Sequence, residues 1–215
     1  MLSRAAMDLE RERARMVEQQ LRRRGIADTR VLAAMEAVPR EAFVPEAERA
    51  RAYYDGALPL SHGQTISQPL MVAMSVEALG LTGKETVLEI GAGSGYQAAV
   101  LSKLAKQVYG VEIVPELAEG ARRTLESLGI DNVKIICADG RKGWPEGAPY
   151  DGIVVAAAAE QVPDALVEQL AEGGRLVIPV GGRWGQALQA STKRDGKLHP
   201  EELCRCVFVP LVHGS

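Results

Sequence analysis

The chain has 215 residues, 47% of them apolar and 25% charged, with a net charge of −3. Those proportions describe a single well-cored globular domain with room for a small appendage. They supply no global field for nucleic acid or an anionic membrane, and no apolar run approaches the roughly 18–20 residues of a membrane span.

The N-terminal stretch MLSRAAMDLERERARM has no apolar signal core, so export is not expected. Residues 8–24 read as a helix with a narrow stripe of Met16, Val17, Gln20 and Leu21, stopped by Gly25. Asp28 is placed to cap a second helix that buries Val31, Leu32, Met35 and Val38 before Pro39. The run Arg22–Arg24 reads as a solvated helix end, favourable at the negative dipole terminus. Residues 40–68 read as irregular, punctuated by Pro45, Asp55-Gly56, Pro59 and Gly63. A loop of that length in a compact domain points to function or disorder. Pro69 then suits the first turn of a helix through Leu79.

From residue 84 the rhythm changes to short apolar runs alternating with amphipathic stretches. Strands are predicted at 86–90, 108–113, 133–138, 151–156 and 174–180, and helices at 96–105, 115–128 and 163–171. That alternation predicts an α/β fold: a doubly wound, mostly parallel sheet with helices on both faces. ALQAST and LCRCVFVPLV read as late antiparallel strands. The expected organisation is an N-terminal helical and substrate-loop region, 1–83, packed on a core, 84–215, as one integrated domain. Cys137, Cys204 and Cys206 lack CxxC spacing, and His62, His199 and His213 are scattered, so neither a disulfide nor a metal site is expected. A reduced, cytoplasmic setting fits that cysteine usage.

The densest signal is VLEIGAGSGY, residues 87–96. An apolar strand ends with Glu89 near its tip, and Gly91, Gly93 and Gly95 follow before a helix. Glycines there allow a sharp turn and close approach of a ligand to the backbone. No Gly-Lys-Ser/Thr follows, so this is not a phosphate loop. The spacing is GxGxG rather than GxGxxG, and a carboxylate beside the turn would repel a pyrophosphate while welcoming a cation. The combination resembles the first motif of S-adenosylmethionine-dependent methyltransferases, whose cofactor carries an ammonium and a sulfonium. Glu112 ends the next strand at the distance where an acid holds ribose hydroxyls. Asp139-Gly140 follows the third strand, where that family sets an acid against the adenine amino group.

The segment after the fourth strand, VVAAAAEQVP, narrows the acceptor. It has no Asp/Asn-Pro-Pro-aromatic motif for base amino groups, no Pro-Cys nucleophile and no acid cluster for a metal. Small apolar residues remain, suited to close approach of a peptide. Over nearly its whole length the chain resembles the protein-L-isoaspartate O-methyltransferase family. The resemblance rests on AVPREAFVP (37–45), ALPLSHGQTISQP (57–69), VLEIGAGSGYQAAVL (87–101), ADG (138–140), YDGIVVAAAAEQVP (150–163), GGRLVIPVG (173–181) and FVPLV (208–212). The chain departs from the family pattern at Ser61-His62, at Ala138 and in the alanines of 155–159.

The resemblance implies methyl transfer from S-adenosyl-L-methionine to the free α-carboxylate of L-isoaspartyl residues in damaged proteins and peptides. It implies Ser67 as the catalytic residue. Thr65, Ile66, Glu89, Gly91, Gly93, Gly95, Glu112, Asp139 and Gly140 would hold the cofactor, and Gln64, Val209 and Pro210 would touch the substrate. A model α-carboxyl has a pKa of about 3.5 and is ionised at neutral pH. It attacks without a base, which explains why GQTISQP contains none. The expected partners are isoaspartyl proteins, with neither nucleic acid nor membrane, and the working expectation is a monomer. Two competing readings stay open on the residues, transfer to another carboxylate or small molecule and a non-catalytic nucleoside binder; a nicotinamide dehydrogenase fails on the GxGxG spacing, on Glu89 and on the lack of a placed catalytic His or Lys. A Ser67 hydroxyl that merely caps the helix 69–79 is the competing role for that residue.

Overall fold

The computed structural model describes residues 4–182 and 185–212; His213 lies outside them. The first helix, α1 (Arg4–Met16), passes into a single π turn at Val17–Leu21 and a 3₁₀ turn at Arg22–Arg24. A single helix over 8–24 is therefore not what forms: the path is continuous but its winding changes twice. The expected inner stripe holds, with Met16, Val17 and Leu21 buried. Gln20 donates from Nε2 to the Tyr53 carbonyl at 2.8 Å, which ties the π turn to the following arm. Gly25 ends the run in a left-handed conformation.

The Asp28 side chain accepts from the Arg30 N–H and caps α2 (Thr29–Ala37), whose Val31, Leu32 and Met35 are buried. Residues 40–68 are more ordered than their punctuation suggests. They contain 3₁₀ turns at Arg40–Ala42, Glu46–Arg51 and Ser61–Gly63, and an antiparallel hairpin of β1 (Leu58–Pro59) with β2 (Thr65–Ile66). The stretch GQTIS is thus half strand, and the hairpin holds it in place. Helix α3 (Pro69–Leu79) starts on proline and stops at the left-handed Gly80.

The core sheet contains β3 (Thr86–Ile90), β4 (Gln107–Glu112), β5 (Val133–Cys137), β6 (Tyr150–Val155), β7 (Leu170–Gly182), β8 (Gly185–Arg194) and β9 (Lys197–Cys206). Helices α4 (Tyr96–Leu101), α5 (Pro115–Ser127) and α6 (Asp164–Gln169) lie in the connections. The strand order is β5-β4-β3-β6-β7-β8-β9. The pairs from β5 to β7 are parallel, and β8 and β9 add antiparallel. Side chains alternate along β3: Val87 joins the apolar cluster shared with the N-terminal helices, and Leu88 and Ile90 join the cluster on the other face. Burial on both faces explains the near-continuous apolar strands. Val17, Leu21, Met35 and Val76 share one cluster with Val87, Val108, Val154 and Val177, so no gap in the core separates the first 83 residues from the sheet.

LCRCVFVPLV does not run as one strand. Strand β9 begins earlier, at Lys197, and ends at Cys206; residues 207–212 leave the sheet edge. Pro210 has no N–H for a ladder. The segment instead docks on the turn after β6, where the Ala158 N–H donates to the Val209 carbonyl and the Leu211 N–H to the Ala158 carbonyl, both at 2.8 Å. The Gln186 side-chain amide donates to the Phe208 carbonyl at 3.2 Å and accepts from its N–H at 2.6 Å. A side chain thus stands in for a missing strand partner.

Candidate active site

The chain runs outward from β3 to β4 and β5, then returns across β3 to β6. The topological switch point therefore lies at the carboxyl ends of β3 and β6, where open α/β sheets bind ligands. A crevice of about 810 Å³, counting its open mouth, lies there. Three walls meet in it: the glycine turn after β3, the hairpin segment 64–67, and the docked C-terminal segment 209–212.

The glycine turn is built from its own backbone. The Gly91 and Ala92 N–H groups both donate to the Val111 carbonyl, at 2.8 and 3.1 Å, and the Gly95 N–H donates to Ala92. The Gly93 N–H donates to Glu112 Oε2 at 2.7 Å. These donors are already committed, so the turn is not a phosphate cradle. Gly91, Gly93 and Gly95 all have positive φ, at 81°, 55° and 86°. Gly95 caps α4, and a Cβ there would sit 3.1 Å from the Ala121 Cβ. Gly95→Ala meets backbone strain and a crowded helix contact together, and is expected to cost about 1–3 kcal/mol. Urea unfolding measures it.

Glu89 is 1% exposed. Its Oε1 accepts from Gln97 Nε2 at 3.1 Å, and its Oε2 is buried without a hydrogen-bond partner. Burial pushes its pKa up to about 8, with the nearby Glu112 adding to the rise and the Gln97 hydrogen bond opposing it. A buried carboxylate with one open oxygen suits a cationic ligand group. Glu112 Oε1 accepts from the Val114 N–H at 2.9 Å and Oε2 from Gly93, so both oxygens are oriented by backbone and keep a second lone pair for ligand hydroxyls. Gly140 lines the crevice, and a Cβ there would lie 2.5 Å from Ile90 Cγ2.

Of the sequence-predicted residues, Gln64, Thr65, Ile66, Ser67, Glu89, Gly91, Gly93, Glu112, Gly140, Val209 and Pro210 line this one crevice. Gly95 and Asp139 do not. Gly95 packs α4 against α5, and Asp139 accepts from the Arg141 N–H at 3.0 Å, capping the turn that presents Gly140. Ser67 is not the cap of α3: Gln68 holds that position, and no hydrogen bond joins the Ser67 hydroxyl to another described residue. His62 sits at the tip of the β1–β2 hairpin with φ 58°, its Nε2 3.7 Å from Glu116, outside the crevice lining. Ala156 and Ala157, from the small apolar run after β6, line it as well, and sequence reasoning missed Tyr96 and Gln97, which also do. Gln97 had a signal, being the one polar residue in the apolar run of α4. Among the described residues no group of three or more His, Cys, Asp or Glu could hold a metal ion.

A parallel sheet with this committed glycine turn and two carboxylates at its switch point defines the class: the S-adenosylmethionine-binding methyltransferase fold. The sequence model of the protein-L-isoaspartate(D-aspartate) O-methyltransferase family matches residues 11–215, and the chain belongs to that family. A protein-L-isoaspartate O-methyltransferase of Geobacter metallireducens is 54% identical over 207 residues, 96% of each chain. One of Methanoculleus marisnigri is 49% identical over 202 residues, 94% of this chain and 92% of its own. A solved protein-L-isoaspartate O-methyltransferase superposes with a TM-score of 0.86 at 32% identity, covering 94% of this chain and 66% of that one. A Plasmodium falciparum protein assigned to the same activity, solved with S-adenosyl-L-homocysteine, gives 0.80 at 31% identity over 93% and 98%.

Proposed function

We propose that the chain transfers a methyl group from S-adenosyl-L-methionine to the free α-carboxylate of L-isoaspartyl residues in proteins and peptides. One observation carries the reading beyond family membership: the acid-bearing glycine turn and Ser67 line a single crevice. Bound there, the cofactor supplies a methyl group on a sulfonium centre. Glu89 offers its open oxygen to the cofactor's cationic end, and Glu112 its spare lone pairs to the ribose.

The acceptor side needs a different kind of help. An α-carboxylate is already ionised at neutral pH, so no base has to act on it. Opposite charges are consumed as the new bond forms, and stabilising those charges fully would slow the step. Alignment in a closed, dry pocket carries the rate instead. Ser67 supplies one neutral donor to orient the carboxylate, and Ala156 and Ala157 supply small walls that exclude water. A second crevice shares Thr65, Ser67, Ala156 and Val209 with the first and continues along Ala57, Gln68 and Phe208. It gives an extended peptide a path that ends at Ser67.

With this reading go a cytoplasmic setting and action as a monomer. Its three cysteines are free, and among the described residues no helix is long and apolar enough to cross a membrane. The testing experiment is methylation of an isoaspartyl peptide against its aspartyl twin, followed by mass spectrometry. Ester formation on the isoaspartyl peptide alone is expected; equal labelling of both, or of neither, refutes the proposal.

A further inference from the structure

Arg40 is wholly buried, with 0% of its surface exposed. It opens the 3₁₀ turn after Pro39, within AVPREAFVP. Its Nε donates to the Ala52 carbonyl at 2.8 Å and its Nη2 to the Ser67 carbonyl at 2.9 Å. The guanidinium carbon lies 4.8 Å from the centroid of the Tyr96 ring, and Tyr96 opens α4 at the end of the glycine turn and lines the crevice. One side chain therefore touches the arm, the acceptor loop and the cofactor helix.

Two features make this more than packing. Among the described residues Arg40 forms no ion pair with a carboxylate, and its Nη1 is buried without a hydrogen bond. Burying a cation without an anion is costly, and two carbonyls alone could be satisfied by a neutral donor. The Ser67 hydroxyl, for its part, has no hydrogen bond to another described residue. Its position is fixed through its backbone, and the hold nearest to it is the fork from Arg40.

We propose that Arg40 is a positioning residue for methyl transfer, its planar fork locking the Ser67 backbone so that the hydroxyl faces the acceptor. The inference rests on the isoaspartyl methyltransferase reading above. A lysine keeps the charge but not the fork. Arg40→Lys is expected to lower kcat on an isoaspartyl peptide about tenfold, with the Kd for S-adenosylhomocysteine changed by less than about twofold.

The deciding measurement is a double-mutant cycle with Ser67→Ala. If Arg40 acts through Ser67, adding Arg40→Lys to Ser67→Ala leaves kcat within about twofold of the single Ser67 variant. A scaffold role would make the two losses multiply, and that result overturns the proposal, as does wild-type kcat in Arg40→Lys. Arg40→Gln, which keeps neutral donors in the same space, is read in the same cycle should the lysine variant unfold; multiplying losses there count equally against the idea. Wild-type protein that fails to methylate the peptide refutes the functional reading itself, whereas wild-type turnover with a multiplicative cycle refutes only the role of Arg40.

Discussion

Glu89→Gln is expected to weaken binding of S-adenosylhomocysteine about 10- to 150-fold, the range for losing a hydrogen bond to a charged group, roughly 1.5–3 kcal/mol. The residue sits under the glycine turn with one oxygen held by Gln97 and the other open. Glutamine preserves the shape and the Gln97 neighbourhood but replaces a carboxylate that a cation needs with an amide. Calorimetric titration measures the change. Wild-type affinity in the variant would show that the cofactor's cationic end lies elsewhere.

The same carboxylate gives the protein a pH signature. With its pKa raised from 4.5 to about 8, folded Glu89 keeps a proton that the unfolded chain has already released. Its contribution to the stability of the free protein is therefore fully present below about pH 4.5 and falls as pH rises through 8. Glutamine resembles the neutral acid, so Glu89→Gln raises the Tm of the free protein at pH 8.5 and leaves it nearly unchanged at pH 5. Binding has the opposite slope. A cation beside Glu89 favours the carboxylate, so binding releases a proton and affinity strengthens with pH up to about 8. Below that pKa the dependence approaches tenfold per pH unit. Titrations in two buffers of different ionisation enthalpy report the released proton directly, and a Kd flat from pH 6 to 8 would contradict the assignment.

Much of this arrangement is legible from residue order because the parallel sheet writes itself plainly. Strands buried on both faces must be continuously apolar, and the intervening helices must be amphipathic, so β3 to β6 emerge close to their true bounds, whereas β7 begins at Leu170, inside the stretch expected as helix. Gly25 and Gly80 mark helix ends because only a residue without a Cβ enters the left-handed conformation cheaply. The glycine turn and its acids were legible for a related reason, since few other chemistries set Glu89 two residues before a run of alternate glycines.

What escaped depends on contacts distant in the chain. Nothing in the residue order marks Arg40 as buried, since arginine seldom is. Its burial is decided by carbonyls 12 and 27 residues away, which local pattern cannot reveal. FVPLV looks like a strand by composition. The resemblance already sets Val209 and Pro210 at the substrate; what composition does not show is that Pro210 and the loss of a sheet neighbour take the segment off the sheet edge, where Ala158 holds it. Asp139 and Gly95 stand outside the crevice lining, where Asp139 caps the turn at Gly140 and Gly95 sits against α5, contacts that residue order does not show.

Ser67→Ala carries the second large expectation: a fall in kcat/KM on isoaspartyl peptide of about five- to hundredfold, matching loss of one donor to a charged acceptor at roughly 1–3 kcal/mol. Cofactor affinity should stay within about twofold, because the proposed role of the hydroxyl is toward the acceptor and the strand-tip acids are left intact. The absence of a base makes the prediction sharper. A serine acting as a nucleophile would need a partner to take its proton, yet His62 stands outside the crevice beside Glu116. Ser67 as a simple donor predicts instead that the variant keeps the wild-type pH–rate shape at saturating cofactor and merely shifts it downward. Steady-state rates of both proteins from pH 6 to 9 decide between the two roles. A changed pH profile would make Ser67 a proton-transfer group, and undiminished turnover would remove it from the reaction altogether.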